Sequence, residues 1–196
     1  MKAFRICFFI FLFSIYINIS KAENISDFQI GGFSLNESLL DKYTEKEIKK
    51  AKRKTGFKSK KYSKYIFFGK FDPYDRIVIY TKKKDKSYII VSIAGFISFD
   101  LNWEGCIEEQ DSTSEEVQKL FPNSKKRVDE FVHQQDKTGE SFERDVIFVL
   151  SSGEEIGSAC QRWGKKYKAK YRSKDQLQVF LDTNEYAAWL RDGAYK

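Results

Sequence analysis

The sequence predicts an α+β domain: an antiparallel β-sheet built of meanders, short N-terminal helices, and one central amphipathic helix packed on one face. Three observations carry that reading. Tyr88 to Phe121 reads as a β-branched, aromatic strand followed by a long amphipathic helix. On both sides of it, stretches of strand period come in runs joined by short turn signals. Only two prolines, Pro73 and Pro122, interrupt the chain, and no repeat or low-complexity linker divides it.

The first 22 residues are read apart from the fold. Lys2 and Arg5 form a basic start, Ile6 to Ile19 is an apolar run, and Ser20-Lys21-Ala22 offers a cleavage site. A membrane span needs roughly 20 apolar residues, which weighs against a retained anchor. The expectation is a signal peptide over 1–22, a mature chain beginning near Glu23, and a single α+β domain over 23–196 in the periplasm or beyond. Removing the signal leaves 174 of 196 residues, with 32 basic side chains against 28 acidic ones. The net charge of +7 therefore falls to about +4, a modest value for an isolated domain. Nucleic-acid binding is not expected from it.

Taken in order, Ile25, Phe28 and Ile30 form a lead-in and Gly31-Gly32 a turn. Asn36 is expected to cap a brief helix through Leu39, Leu40 and Tyr43. Thr44 with Glu47 is a capping box, so a second helix should start there and end near Gly56. The period then changes to two: a strand from Tyr65, a turn at Pro73, a strand through Arg76–Lys82, a turn in Lys82–Lys86, and the strand from Tyr88. These make a three-stranded antiparallel meander, with Gly95 read as a bulge or bend.

The helix after it starts at Asp100 or Asn102 and stops at Pro122. Trp103, Cys106, Ile107, Ser114, Val117, Leu120 and Phe121 share one stripe, while Glu104, Glu108, Glu109, Asp111, Glu115 and Glu116 lie mostly off it. Strands are expected through Arg127–Gln135, Phe142–Ser152 and Glu154–Trp163, and again in Lys166–Arg172 and Gln176–Asp182. Thr183 caps a closing helix that buries Tyr186, Trp189 and Leu190.

Cys7 leaves with the signal, so Cys106 and Cys160 remain. Two cysteines in an exported chain read as one disulfide, the alternative being two buried thiols that never meet. Other chemistry finds little support. His133 is the one histidine, and its functional reading is a general base near Asp129 or Asp136, against an ordinary strand histidine. There is no Gly-x-Ser-x-Gly elbow, no Cys-x-x-Cys, and no glycine-rich phosphate loop, so neither metal nor cofactor is expected. Asp182-Thr183-Asn184-Glu185 has the look of a calcium loop, but a helix N-cap explains it better.

Two basic clusters remain. Lys46 to Lys64 holds ten basic residues and one acid, and Arg162 to Lys174 holds seven basic residues and no acid. As a strand, the second cluster places Lys166, Lys168, Lys170 and Arg172 on one face with Tyr167 and Tyr171 on the other. That face is a candidate surface for an anionic envelope polymer or membrane, against the plainer reading of a lysine-protected edge.

The run Ile25 to Asp41, Ile-Ser-Asp-Phe-Gln-Ile-x-Gly-x-Ser-Leu-x-x-Ser-Leu-Leu-Asp, resembles a signature of small exported proteins of AT-rich marine bacteria. The tyrosine-rich strands, the helix cysteine and the ending Asp182 to Leu190 extend that likeness over most of the mature chain. It implies export and an α+β fold and brings no activity or site residues. The turn Gly32 to Leu35 also resembles small β-lactamase-inhibitor and outer-membrane-assembly lipoprotein domains, though without their lipid-bearing cysteine. The function expected from all this is non-enzymatic: an exported domain that binds another envelope protein. The alternative is electrostatic binding of an anionic polymer or membrane through the basic strand.

Overall fold

The computed structural model describes residues 25, 28–99, 102–133, 136–171 and 174–196. The expected signal segment over 1–22 lies outside them. Among the described residues no helix is long and apolar enough to cross a membrane.

The N-terminal lead-in is pinned by burial. Ile25, Ile30, Phe33 and Leu35 are all buried, and Gly31 and Gly32 reverse the chain at φ 58° and 82°. Leu39–Asp41 forms a single 3-10 turn, capped by Ser38 and not by Asn36. Asn36 instead takes the left-handed conformation at φ 67°, which its short polar side chain tolerates, and its N–H donates to the Ile90 carbonyl. Thr44 and Glu47 form the expected capping box on α1, Glu45–Ala51. This helix ends five residues before Gly56. Lys52, Arg53 and Lys54 offer the core nothing, and Lys52–Arg53 becomes β1, paired with Tyr65 and Lys64.

β2 (Tyr62–Phe71), β3 (Tyr74–Lys82) and β4 (Ile90–Ser98) form the expected antiparallel meander. The helix α2 (Trp103–Leu120) follows, its first turn held by the Asn102 side chain accepting from the Gly105 N–H. Asp100, the other candidate cap, lies outside the described residues. A second meander, β5 (Lys125–Val132), β6 (Phe142–Val149) and β7 (Glu155–Arg162), leads to α3 (Lys165–Tyr171), β8 (Gln176–Asp182) and α4 (Asn184–Asp192). All eight strands join one antiparallel sheet in the order β1-β2-β3-β4-β8-β7-β6-β5. The last strand in the chain therefore stitches the two meanders together at the centre, pairing with β4 on one side and β7 on the other.

Period two sorts the sheet into faces. Ile77, Ile79, Ile93, Val146, Phe148, Ile156 and Leu181 form one core with Val117 of α2, with Phe121 just past its end, and with the lead-in. Each fully buried Ile or Leu there contributes about 1.5–3 kcal/mol by leaving water. The other face carries Val78, Ala94 and Phe96, with Phe180 packed against them. At its end, α4 lays Tyr186 and Trp189 on Tyr62 and Val91. Thr183 caps α4 by accepting from the Tyr186 N–H, so the Asp182–Glu185 run serves a helix start.

Two further expectations are corrected. Gly95 is neither a bulge nor a bend: it sits in register between Ile77 and Val179. A Cβ there would overlap the Tyr74 ring and Ile30, so the glycine admits a close approach of side chains. Gly95→Ala should cost about 1–3 kcal/mol, read as a lowered midpoint in thermal unfolding. The segment Lys166–Tyr171 is helix, not strand. The alternation of Lys and Tyr also sets Lys166 and Lys170 four apart, a spacing that a helix accommodates. The Lys168 N–H donates to the Gly164 carbonyl at 2.9 Å, and the Tyr167 ring stacks at 4.6 Å on Trp163, which lies just before the helix, with their planes 12° apart. Arg172 lies outside the described residues.

Candidate functional site

The predicted disulfide is present, joining Cys106 of α2 to Cys160 of β7. It lies among Leu177, Ile97, Trp103 and Ile107 and fixes the start of α2 over the sheet. One turn on, Gln110 is fully buried, a member of the buried stripe that its polarity concealed in the sequence. Its amide nitrogen donates to the carbonyls of Arg144 and Ser158, both at 3.0 Å, and its oxygen accepts from Arg144 at 2.6 Å. With every polar atom of that amide satisfied, its burial carries no unmet desolvation penalty.

With α2 so anchored, its N-terminus overhangs the end of β7 and the start of α3. Between them lies an open cleft of about 460 Å³. Trp103 and Glu104 form one wall, Arg162, Trp163 and Lys165 another, and Glu140, Lys168 and Asp175 complete it. The Arg162 guanidinium lies 5.4 Å over the Trp103 ring, whose edge meets Phe142 at 5.6 Å. The Trp163 indole N–H is buried with no hydrogen-bond partner.

Local bonds build the cleft's floor. Asp175 is buried, accepting from the Trp163 N–H at 2.8 Å and from Lys168 Nζ at 2.7 Å. It thereby closes the connection between β7 and β8 over α3. Ser141 accepts from the Gly164 N–H at 2.9 Å and donates to Asp136 at 2.5 Å. Hydrogen bonds from Ser141 and then Thr138 hold the Asp136 carboxyl well below the usual range, at about 2.

Of the basic residues expected to form one polyanion face, the helix sets Lys168 apart from Lys166 and Lys170. Lys168 is spent on Asp175, while Lys166 and Lys170, four apart, are exposed on α3. Three acids, Glu104, Glu140 and Asp175, stand among the cations that line the cleft. This mixture disfavours a polyanion.

His133 meets Asp136 through the backbone, its carbonyl accepting from the Asp136 N–H at 3.0 Å. Asp136 is occupied as described, and Asp129 pairs with Arg127 at 2.6 Å. The ring nitrogen Nε2 instead lies 3.5 Å from Glu143, and the ring sits 4.6 Å from that of Trp163. Glu143 ends a polar row that crosses the sheet. Arg76 donates to Gln176 at 2.6 Å, Gln176 to Gln161, and Gln161 to Glu143 at 2.7 Å. Burial raises the pKa of Glu143. Burial and then the charge of Glu143 push neighbouring Asp145 up to about 7. The row gives Gln176, Gln161 and Glu143 hydrogen-bond partners and tethers His133 behind Trp163.

No protein-family model, curated protein or solved structure matches this chain.

Proposed function

We propose that this chain is an exported, non-enzymatic domain that binds a segment of another envelope protein in the cleft between α2 and α3. The observation that carries the reading is the cleft's composition. Two half-buried tryptophans and an exposed arginine stand together in an open hollow, the residue types that dominate protein–protein hot spots. Three cations and three acids stand around them, which suits a peptide more than a uniform polyanion. Three further features agree with export: the apolar lead from Ile6 to Ile19, the small residues before Glu23, and the Cys106–Cys160 disulfide. Ser141, whose carbonyl accepts from the His133 N–H, donates its hydroxyl to Asp136, and the two core cysteines are joined to each other.

The test is capture from envelope extract by the tagged protein, followed by affinity measurement for the partner recovered. Arg162→Glu with Lys165→Glu should weaken binding about thirtyfold, a hot-spot loss of about 2 kcal/mol. Lys52→Glu with Arg53→Glu, on distant β1, should leave affinity unchanged. Equal losses from both pairs would remove the cleft as the site. Capture that persists in high salt supports a packed interface, whereas a steep loss with salt would favour the anionic polymer.

A further inference from the structure

β5 closes one edge of the sheet, and among the described residues no strand pairs with its outer side. Every residue along it is exposed except half-buried Asp129. Val128, Phe131 and Val132 leave 46%, 38% and 50% of their surface in solvent. Such an edge offers a row of backbone N–H and C=O groups with apolar side chains, a template for another strand.

The opposite edge is built differently. β1 is two residues long, Lys52 and Arg53, both exposed and both cationic. A short edge of one sign repels a second copy. β5 changes sign at its centre: Lys125, Lys126 and Arg127 precede Val128, and Asp129 and Glu130 follow it. A strand patterned this way is complementary to itself when reversed.

We propose that this chain forms a two-fold dimer in which the β5 strands of two copies pair antiparallel about Val128. The two eight-stranded sheets then become one of sixteen strands. In this register Val128 faces Val128 of the second copy, Arg127 faces Asp129, and Lys126 faces Glu130, each charge pair occurring twice. Residues directly opposite in an antiparallel pair share a face of the sheet, so these contacts form side by side. Sliding by two residues in either sense would set Asp129 against Asp129 or Arg127 against Arg127, so charge selects one register.

The charges already have neighbours within the chain. Arg127 lies 2.6 Å from Asp129, and Arg144 lies 3.4 Å from Glu130. Exposed pairs of this kind contribute little, so exchanging them across the interface is nearly neutral. The drive comes from the new backbone ladder and from covering Val128, Phe131 and Val132. The dimer edge is separate from the cleft, and the two proposals stand or fall independently.

The test is sedimentation equilibrium on the protein as recovered from cells expressing the full chain. The parent should be a dimer. Arg127→Asp alone sets Asp against Asp, and Asp129→Arg alone sets Arg against Arg. Each should weaken self-association roughly tenfold or more. Mixed in equal amounts, the two variants should associate again, because both acids of the first variant then face both arginines of the second. Circular dichroism shows whether each variant keeps its fold, and Val128→Lys, which sets two cations face to face at the centre, replaces either that does not. A monomeric parent, reversals that leave the dimer intact, or a mixture no tighter than its components would each overturn the proposal.

Discussion

Cys106→Ala together with Cys160→Ala should lower the free energy of unfolding by about 4 kcal/mol. The two residues are 54 apart, and cross-linking them removes from the unfolded chain the entropy of an open loop of that length. The folded side of the balance adds to the effect. Both sulfurs are buried against Leu177 and Ile97, so shortening each side chain to a methyl leaves a void beneath the first turns of α2. For a chain of this size the loss corresponds to a fall in melting temperature of roughly 8–16 °C. Urea denaturation of the parent, oxidised and reduced, beside the double variant measures it directly. The reduced parent should show the loss of the cross-link alone, and the double variant should fall below it, since only the variant also carries the void. A difference from the oxidised parent below about 1 kcal/mol would mean that the bridge does not constrain the unfolded chain.

That bridge shows which parts of the fold were legible in the residues. The stripe on α2, its Asn102 cap and its stop at Pro122 are local signals, and local periodicity transmits them faithfully. Thr44 with Glu47, and Thr183 before α4, are legible for the same reason. Asn36 misled because asparagine serves both as a cap and as a left-handed residue, and only the register with Ile90 decides between them. Gln110 was passed over because hydropathy scores an amide as solvent-facing. What buries it is the placing of two strand carbonyls, those of Arg144 and Ser158, about which local sequence carries no information.

The same limit hid the sheet's centre and the cleft. Gln176–Asp182 reads as a strand, but its neighbours β4 and β7 lie in different meanders, and non-local pairing leaves no local mark. The strand expected over Lys166–Arg172 failed for a different reason, its residues to Tyr171 being helix. Its Lys-Tyr alternation is compatible with both periods, and the structure takes the helical one, with Tyr167 stacked on Trp163 just before it. With the strand goes the single basic face, and Arg162 and Lys165 come to the cleft in its place. The one local hint was the Gln-Arg-Trp-Gly stretch from Gln161, where an aromatic beside a cation ends a strand.

The second large effect should appear on raising the pH. Asp182 is 4% exposed at the end of β8, opposite Ser92 and Glu155, and its Oδ1 is buried without a hydrogen-bond partner. Burial, and next the charge of Glu155, push its pKa up to about 7 against an ordinary 3.8. Ser92 and Arg191 oppose the shift, Arg191 being committed to Glu155. The folded chain therefore binds one more proton than the unfolded chain between these two values. Stability due to this group is complete below the lower value and is lost as pH rises through the higher one. The loss is on the order of 4 kcal/mol between about pH 4 and pH 8. Carboxyls held low, such as Asp136 at about 2, act in the opposite sense at more acid pH and are fully ionised across this window. Asp145, also raised to about 7, adds a second falling contribution. Asp182→Asn, nearly the same shape without the ionisation, should remove about half of the decline and make the protein more stable than the parent at about pH 8. Urea midpoints from about pH 5 to pH 8 measure both slopes. An Asp182→Asn chain that loses stability with the parental slope would show that Asp182 is already ionised in the folded protein.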